Sequence, residues 1–166
     1  HILFADDERA IHTTLRGVLE DEGYRVTAVG SGEEAIARLQ DEVPDIIFLD
    51  IWMPGIDGLD TLAELKRLRP ETVVVMISGH ATIETAVKAT KLGAYDFIEK
   101  PLSLEKTLLI ASRALEHTRL ERENRTLRAQ LERGQEIVGQ SALIEHLRQQ
   151  IAVAAPSSGR VLIQGE

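Results

Sequence analysis

The 166-residue sequence is long enough for one buried domain of about 100–150 residues and an additional segment. Its hydrophobic content of 43% argues against a disordered chain, and its net charge of −8 argues against broad binding to nucleic acid. The absence of cysteine excludes disulfides and cysteine-ligated zinc, and no apolar run approaches the ~18 residues of a membrane span. We therefore expect a globular, cytoplasmic protein. The sequence begins inside an apolar run and stops just after a predicted strand, so we also expect it to be part of a longer protein.

Five short apolar or β-branched runs alternate with segments in which apolar residues recur at helical spacing. The predicted strands are residues 1–5, 25–29, 46–50, 72–77 and 94–98. The predicted helices are residues 9–22, 57–68 and 82–92, with another that starts at Ser31 and ends before Pro44. Strands that alternate with helices in this way favour a parallel sheet with right-handed crossovers. We therefore predict an α/β protein whose first domain, residues 1–102, is a flavodoxin-like, doubly wound sheet of five parallel strands.

Residues 103–133 predict one long helix that differs from the preceding strand–helix units. An apolar stripe continues into a heptad-like series of leucines: Leu104, Leu108, Ala111, Leu115, Leu120, Leu127 and Leu131. A helix of about 30 residues is longer than one small domain can cover. We therefore predict that the outer half of this linker helix forms a coiled coil with a second copy of the chain. A solvated linker helix with intrachain ion pairs is the alternative.

The remaining residues, 134–166, predict the start of another domain. Gly134 is expected to end the long helix, and Ser141 is expected to cap a short amphipathic helix that follows it. A turn and a last strand at residues 160–164 complete the predicted elements.

Polar side chains stand at the ends of four predicted strands: Asp6, Asp7, Asp50, Ser78 and Lys100. In a doubly wound sheet these strand ends meet at one crevice, where ligands bind. Taken alone, the position of Asp50 favours a strand-end cap over a reactive group, because aspartate commonly initiates turns. The occurrence of such residues at four of the five strand ends favours one shared site.

Three carboxylates in one crevice repel each other by about 4 kcal/mol per pair at ~4 Å and an effective dielectric constant of about 20. A cation must offset that repulsion, and hard oxygen ligands suit Mg²⁺ or Mn²⁺. A metal, a lysine and a hydroxyl beside one carboxylate are the groups that phosphoryl transfer to that carboxylate requires. We predict Asp50 as the nucleophile, because it ends the central strand.

The chain resembles the receiver domain of two-component response regulators in four motifs: Asp6-Asp7, Asp50 with Met53-Pro54-Gly55, Ser78-Gly79-His80 and Lys100-Pro101. The resemblance implies a CheY-like fold in which a partner histidine kinase phosphorylates Asp50. It also implies that Ser78 is the switch hydroxyl and that Lys100 binds the phosphoryl group. The peptide bond between Lys100 and Pro101 is expected to be cis, as in the family.

The same resemblance implies a magnesium site. Asp7 and Asp50 would bind Mg²⁺ (or Mn²⁺) together with the backbone carbonyl of Trp52. Asp6 would act mainly through a metal-bound water.

Phosphorylation is expected to change the face formed by the fourth helix, the fifth strand and the fifth helix. Phe97 matches the family's aromatic switch position, although a core aromatic residue on a buried strand is the simpler interpretation. Because phenylalanine has no hydroxyl group, any switching at Phe97 is expected to depend on packing alone. We predict a homodimer that uses this face and the coiled coil of the linker helix.

Two further stretches, Ile137–Ser141 and Arg160–Glu166, resemble the opening of the AAA+ domain in sigma-54-dependent, nitrogen-regulation-type activators. The sequence ends before any Gly-Lys-Ser/Thr of a phosphate-binding loop, so we expect no ATP binding through this segment. The resemblance implies that the full-length activator binds ATP, sigma-54 RNA polymerase and DNA.

Two alternatives to a phosphorylation switch stay open. The chain could be a phosphate-independent dimerisation module, although the complete set of site residues argues against that function. It could also be an aspartyl-phosphate phosphatase of the haloacid-dehalogenase type. Those enzymes carry Asp-x-Asp after their first strand, whereas this chain has Asp6-Asp7-Glu8. We therefore expect a phosphoacceptor that catalyses its own phosphorylation and dephosphorylation, and not an enzyme.

Overall fold

The computed structural model describes residues 1–80, 82–134, 139, 141–156 and 162. The strands are β1 (Ile2–Ala5), β2 (Val26–Val29), β3 (Ile46–Asp50), β4 (Val73–Ser78) and β5 (Asp96–Glu99). The helices are α1 (Arg9–Asp21), α2 (Gly32–Asp41), α3 (Gly58–Leu68), α4 (Ile83–Lys91), α5 (Leu104–Gly134) and α6 (Ala142–Ala154). The predicted strands and helices of the first hundred residues are all present, and the ends of these strands differ from the prediction by at most two residues.

The strands form one parallel sheet in the order β2-β1-β3-β4-β5, with β3 at its centre. At the carboxyl end of β3, Leu49 pairs with Ala5 of β1 and Asp50 pairs with Ile77 of β4. The strand order reverses beside β1, which is the topological switch point where open α/β sheets bind ligands. The predicted flavodoxin-like, doubly wound sheet is confirmed.

Helices cover both faces of the sheet, which explains why β3 is apolar at successive positions. Ile47 and Leu49 pack in one hydrophobic layer with residues of α2, α3 and α4. Ile46 and Phe48 point to the other face and pack with residues of α1 and α5. The four residues before Asp50 therefore belong to two hydrophobic layers at once, and they fix the position of the strand end.

Five helices begin at a side chain that accepts hydrogen bonds from the first turn. These capping residues are Ser31 for α2, Asp57 for α3, Thr82 for α4, Ser103 for α5 and Ser141 for α6. The predicted helix starts at Ser31 and Ser141 are therefore confirmed. Helix α1 differs, because the side chain of its capping residue, Glu8, makes no such bond.

The long helix α5 changes in character along its length. Ile110, Ala111 and Ala114 are buried against the sheet, whereas Leu120 and Leu127 are 51% and 53% exposed. These leucines are exposed in the single chain, so the coiled coil with a second copy stays a prediction. In the described part of the chain, no helix combines the length and apolar character needed to cross a membrane.

Contacts within the chain divide it into two compact units, His1–Glu121 and Arg122–Glu166. Helix α6 belongs to the second unit and has no buried residue. The predicted strand at residues 160–164 lies outside the described residues, apart from Leu162. The predicted domain boundaries after residues 102 and 133 stay predictions.

Gly58, the first residue of α3, allows this helix to approach the end of β3. Its N–H group donates to the Ile51 carbonyl at 2.8 Å, and a Cβ atom at this position would press on backbone atoms of Asp50 and Ile51. We expect Gly58→Ala to lower the free energy of unfolding by about 1–3 kcal/mol, because the backbone must move to admit a methyl group. Equilibrium denaturation in urea measures this change.

Gly17→Ala is the matched control for this substitution. Gly17 lies inside α1, and a Cβ atom there would have no neighbour within 4 Å. Alanine should stabilise the chain at this position by about 0.5–1 kcal/mol, because it restricts the unfolded state more than glycine does. Stabilisation of Gly58→Ala as well as Gly17→Ala would contradict the close approach at Gly58.

Candidate functional site

The carboxyl ends of the strands bring the predicted polar residues together. Asp6 and Asp7 follow β1, Asp50 ends β3, Ser78 ends β4 and Lys100 follows β5. Because β3 lies between β1 and β4, Asp50 has acids on one side and the Ser78 strand on the other. Carboxylate oxygens of Asp6, Asp7 and Asp50 lie within 4.8 Å of one another. The strand ends therefore form one acidic crevice, as their positions in the sequence predict.

The ammonium group of Lys100 lies among three carboxylates. Its Nζ donates hydrogen bonds to Asp50 Oδ2 and to Glu8 Oε1, each at 2.7 Å. It also lies 2.9 Å from Asp6 Oδ2, but this contact is an ion pair without hydrogen-bond geometry. The fully buried Asp6 Oδ2 is therefore left without a hydrogen bond. The single positive charge of Lys100 is thus shared by three carboxylates and cannot neutralise all of them.

Burial changes the acidity of Asp50, whose residue surface is 2% exposed. It raises the pKa of Asp50 above its ordinary value, and the hydrogen bond from Lys100 offsets this rise only in part. Asp50 Oδ1 accepts a second hydrogen bond, from the backbone N–H of Trp52 at 3.3 Å. For Lys100, burial favours a lower pKa, but its contacts with Asp50, Glu8 and Asp6 outweigh burial and raise the pKa. Lys100 therefore stays charged, but its positive charge does not fully compensate the burial of the ionised Asp50 carboxylate.

Ser78 and Phe97 lie on the β4–β5 side of the site. Ser78 is fully buried, and its Oγ accepts a hydrogen bond from the His80 N–H at 3.2 Å. The Ser78 carbonyl accepts from the Lys100 N–H at 2.8 Å, so the ends of β4 and β5 are joined at the site. Phe97 is half-buried and packs against the hydrophobic layer under α2, α3 and α4. The peptide bond between Lys100 and Pro101 is cis, as expected.

Two acidic residues that the sequence motifs do not indicate, Glu8 and Glu33, hold parts of the site. Glu33 Oε1 accepts the Ile56 N–H at 2.9 Å, and hydrogen bonds from the backbone of Glu33 itself and of Ile56 lower the pKa of Glu33. Gly55, at φ +85°, lies so close that a Cβ atom there would press on the Glu33 carboxylate. Glu33 thus anchors the loop that carries Trp52. Glu8 could have been noticed as the third acid of a run, but Glu33 resembles any acid in a helix's first turn.

The acidic crevice fits a hard divalent cation. Asp6, Asp7 and Asp50 can each direct one carboxylate oxygen at a single ion. Two observations show a need for positive charge, namely the buried Asp6 Oδ2 that lacks a hydrogen bond and the raised pKa of Asp50. The expected ligand role of the Trp52 carbonyl and the water-mediated role of Asp6 stay predictions.

Comparison with known families identifies the domain. The sequence profile described as "Response regulator receiver domain" matches residues 2–112, which include all five strands of the sheet. The chain belongs to the response regulator receiver family. This receiver has an acid pair, a central aspartate, a serine and a lysine at the strand ends, as the sequence resemblance implied.

Relatives and solved structures place the receiver among nitrogen-regulation-type proteins. The nitrogen assimilation regulatory protein NtrX of Azorhizobium caulinodans is 47% identical over 166 residues, which are 99% of this chain and 36% of that protein. The crystal structure of NtrX from Brucella abortus matches 96% of this chain and 35% of its own, with TM-score 0.73 and 44% identity. The beryllofluoride-activated NtrC4 receiver domain dimer matches 70% of this chain and 97% of its own, with TM-score 0.68 and 40% identity. The chain thus spans about a third of the NtrX proteins that it resembles.

The raised pKa of Asp50 predicts that ionised Asp50 destabilises the metal-free receiver. The folded chain holds the Asp50 proton more tightly than the unfolded chain, whose aspartate has the ordinary pKa of 3.8. The free energy of unfolding therefore falls as the pH rises from this value through the folded pKa, and the loss persists at neutral pH. Because asparagine imitates the protonated side chain, Asp50→Asn should melt at a higher temperature than wild type at pH 7 in EDTA. The difference should shrink as the pH approaches 3.8.

Thermal melting followed by circular dichroism measures this difference. Glu123→Gln, an exposed site on α5, is the control for loss of one negative charge. A lower melting temperature for Asp50→Asn than for both wild type and Glu123→Gln would show that Lys100 fully compensates the buried carboxylate.

Proposed function

We propose that this receiver accepts a phosphoryl group on Asp50 from a histidine kinase, with Mg²⁺ (or Mn²⁺) bound by Asp7 and Asp50. The observation that carries the proposal is the 2.7 Å hydrogen bond between Lys100 Nζ and Asp50 Oδ2 inside the acidic crevice. A buried carboxylate beside a fixed cation and further carboxylate ligands is suited to phosphoryl transfer, in which positioning and charge compensation supply most of the catalysis.

In the proposed step, an Asp50 oxygen attacks phosphorus in line and forms a carboxyl–phosphate bond. The bond from phosphorus to the donor breaks, and the leaving nitrogen of the kinase histidine keeps the electron pair and takes up a proton. A divalent cation held by Asp7 and Asp50 would supply positive charge during the transfer. Lys100 turns from Asp50 Oδ2 to one of the phosphoryl oxygens, and the Ser78 hydroxyl donates to another. Attack by water later releases phosphate and restores Asp50, so the chain acts as a phosphoacceptor without a separate substrate.

The new contacts of Ser78 and Lys100 give the phosphorylated state an interaction that the other state lacks, which is what a switch requires. Ser78 Oγ accepts a hydrogen bond from the His80 N–H, so its own O–H can donate to the phosphoryl group when Ser78 moves toward it. Phe97 of β5 lies opposite Met76 of the neighbouring strand β4, and both side chains pack in the hydrophobic layer under α2, α3 and α4. We propose that this layer repacks when Ser78 moves.

A cavity beside the site suits a partner that delivers the phosphoryl group. It has a volume of about 520 Å³ and lies between α1 and the segment that follows β5. Apolar side chains of Ile11, Leu15, Pro101 and Leu102 line it, and Glu8 and Lys100 also belong to its lining. An apolar groove of this kind accepts the apolar face of a helix. We propose that a helix of the cognate histidine kinase docks here.

We further propose that phosphorylation changes a homodimer formed through the face of α4, β5 and α5. Ile83 and Val87 on α4 and Leu109 on α5 have exposed apolar side chains. Leu120 and Leu127 continue the exposed apolar surface along α5 at heptad spacing. The related NtrC4 receiver was solved as a dimer in its beryllofluoride-activated form.

In the whole protein, the receiver would control a sigma-54-dependent AAA+ activator in the cytoplasm. The NtrX relatives and the resemblance of residues 137–141 and 160–166 to the opening of an AAA+ domain support this proposal. Binding of ATP, sigma-54 RNA polymerase and DNA would belong to the two thirds of the related proteins that this chain does not span.

Incubation with Mg²⁺ and acetyl phosphate tests the phosphoacceptor. Wild type should gain the mass of one phosphoryl group, and Asp50→Asn should gain none, because a carboxamide is a poor nucleophile. Asp41→Asn, an exposed site at the end of α2, should be phosphorylated like wild type. Intact-mass spectrometry measures all three. No gain in wild type, or an equal gain in Asp50→Asn, would refute the proposal, and steady phosphate release from many esters would favour a phosphatase.

Replacement of Leu120 and Leu127 by alanine together tests the coiled coil. If these leucines are buried between two copies, the dissociation constant of the dimer should rise by more than about tenfold, because each buried leucine contributes about 1.5–3 kcal/mol. Leu143→Ala, at an exposed leucine of α6, should leave the constant unchanged. Sedimentation velocity with and without beryllofluoride measures the assembly. An unchanged constant would favour the solvated linker helix, and a dimer that accepts no phosphoryl group would favour the phosphate-independent module.

A further inference from the structure

Glu8 contacts the central groups of the site but has no part in the proposed phosphoryl transfer. Its Oε1 accepts a hydrogen bond from Lys100 Nζ at 2.7 Å, the same length as the bond from Lys100 to Asp50. The contact joins residues 92 positions apart, from the start of α1 to the end of β5. The side chain of Glu8 is 57% exposed, whereas those of Asp6 and Asp50 are buried.

The backbone around Glu8 is arranged for this contact. Glu8 is the residue before α1, but its carboxylate makes no hydrogen bond with the first turn of that helix. Instead, its N–H group donates to Asp6 Oδ1 at 2.8 Å, which fixes the backbone of Glu8 beside the buried acid. Glutamate is not among the residues that commonly cap a helix at this position, and here its side chain reaches Lys100.

The three carboxylates around Lys100 differ in whether they can also bind a metal ion. Asp6 and Asp50 belong, with Asp7, to the set whose oxygens can meet at one cation. Glu8 does not belong to that set. The side chain of Glu8 therefore acts in the site through Lys100. An experiment can separate its effect on Lys100 from an effect on metal binding.

We propose that Glu8 is a positioning residue that holds Lys100 in the unphosphorylated receiver and slows phosphorylation of Asp50. Lys100 donates two of the three N–H groups of its ammonium to Glu8 and Asp50, and Asp6 Oδ2 lies 2.9 Å from the same nitrogen. When a phosphoryl group arrives, the ammonium group must turn toward a phosphoryl oxygen. Glu8 competes with that oxygen for the lysine, and its negative charge also opposes the approach of an anionic donor. This inference rests on the proposed phosphoacceptor function of Asp50.

Glu8→Gln tests the inference, because glutamine keeps the length of the side chain and removes its charge. Glu22→Gln, at the exposed opposite end of α1, is the matched control with the same change in net charge. With saturating Mg²⁺ and acetyl phosphate, the initial rate of phosphorylation should be about two- to fivefold higher in Glu8→Gln than in wild type, the range expected for one exposed ion pair. Glu22→Gln should keep the wild-type rate.

Two further measurements distinguish positioning of Lys100 from a change in folding or metal affinity. Nitrogen–proton NMR of the Lys100 ammonium group should give a shifted, faster-exchanging signal in Glu8→Gln and an unchanged signal in Glu22→Gln. The Mg²⁺ dissociation constant can be followed by the fluorescence of Trp52, the single tryptophan of the chain. It should differ by less than about twofold between Glu8→Gln and wild type, because Glu8 is not a ligand.

A gain in rate below about twofold in Glu8→Gln, or an equal gain in Glu22→Gln, would overturn the proposal. A gain matched by tighter Mg²⁺ binding would also overturn it, because the effect would then act through the metal. Failure of the phosphoacceptor function is distinguishable from these outcomes. In that case wild type itself takes up no phosphoryl group, and the role of Glu8 is rejected with it.

Discussion

The balance of charge around Asp50 is the constraint on which the site depends. Asp6, Asp7, Glu8 and Asp50 gather at the strand ends, and in the described part of the chain Lys100 is the cation that contacts three of them. Like charges ~4 Å apart cost about 4 kcal/mol per pair at an effective dielectric constant of about 20. One ammonium group cannot offset several such pairs. Burial raises the pKa of Asp50, the charge of Asp6 adds to that rise, and the hydrogen bond from Lys100 offsets it only in part.

The fold maintains this unfavourable arrangement because the strand that carries Asp50 cannot move away. Residues 46–49 contribute alternately to two hydrophobic layers, and Gly58 lets α3 press against the strand end. The loop that follows is held by the hydrogen bond from the Ile56 N–H to Glu33. The stability of the core thus keeps the acids together, and a cation or a phosphoryl group can change the local free energy without changing the sheet.

The sequence predicts the parts of the site that follow from strand ends and local signals. Asp50 and Ser78 end apolar runs, and parallel strands bring such ends to one edge of the sheet. The contacts of Glu8 and Glu33 could not be predicted in this way, because they join residues 92 and 23 positions apart. The direction of an exposed carboxylate depends on which elements the fold places beside it. For Glu8, no local rule sets this direction, because glutamate is not a preferred capping residue, and its side chain contacts the lysine that the fold brings close.

Calorimetric titration with Mg²⁺ is the most direct test of the claim that the strand-end acids form a cation site. One ion should bind per wild-type chain, and Asp7→Asn should bind at least about tenfold more weakly, because loss of a charged ligand costs more than about 1.4 kcal/mol. Asp41→Asn, far from the crevice in sequence and exposed, should bind like wild type. Absence of binding in wild type, or equal affinities for wild type and Asp7→Asn, would contradict the cation site.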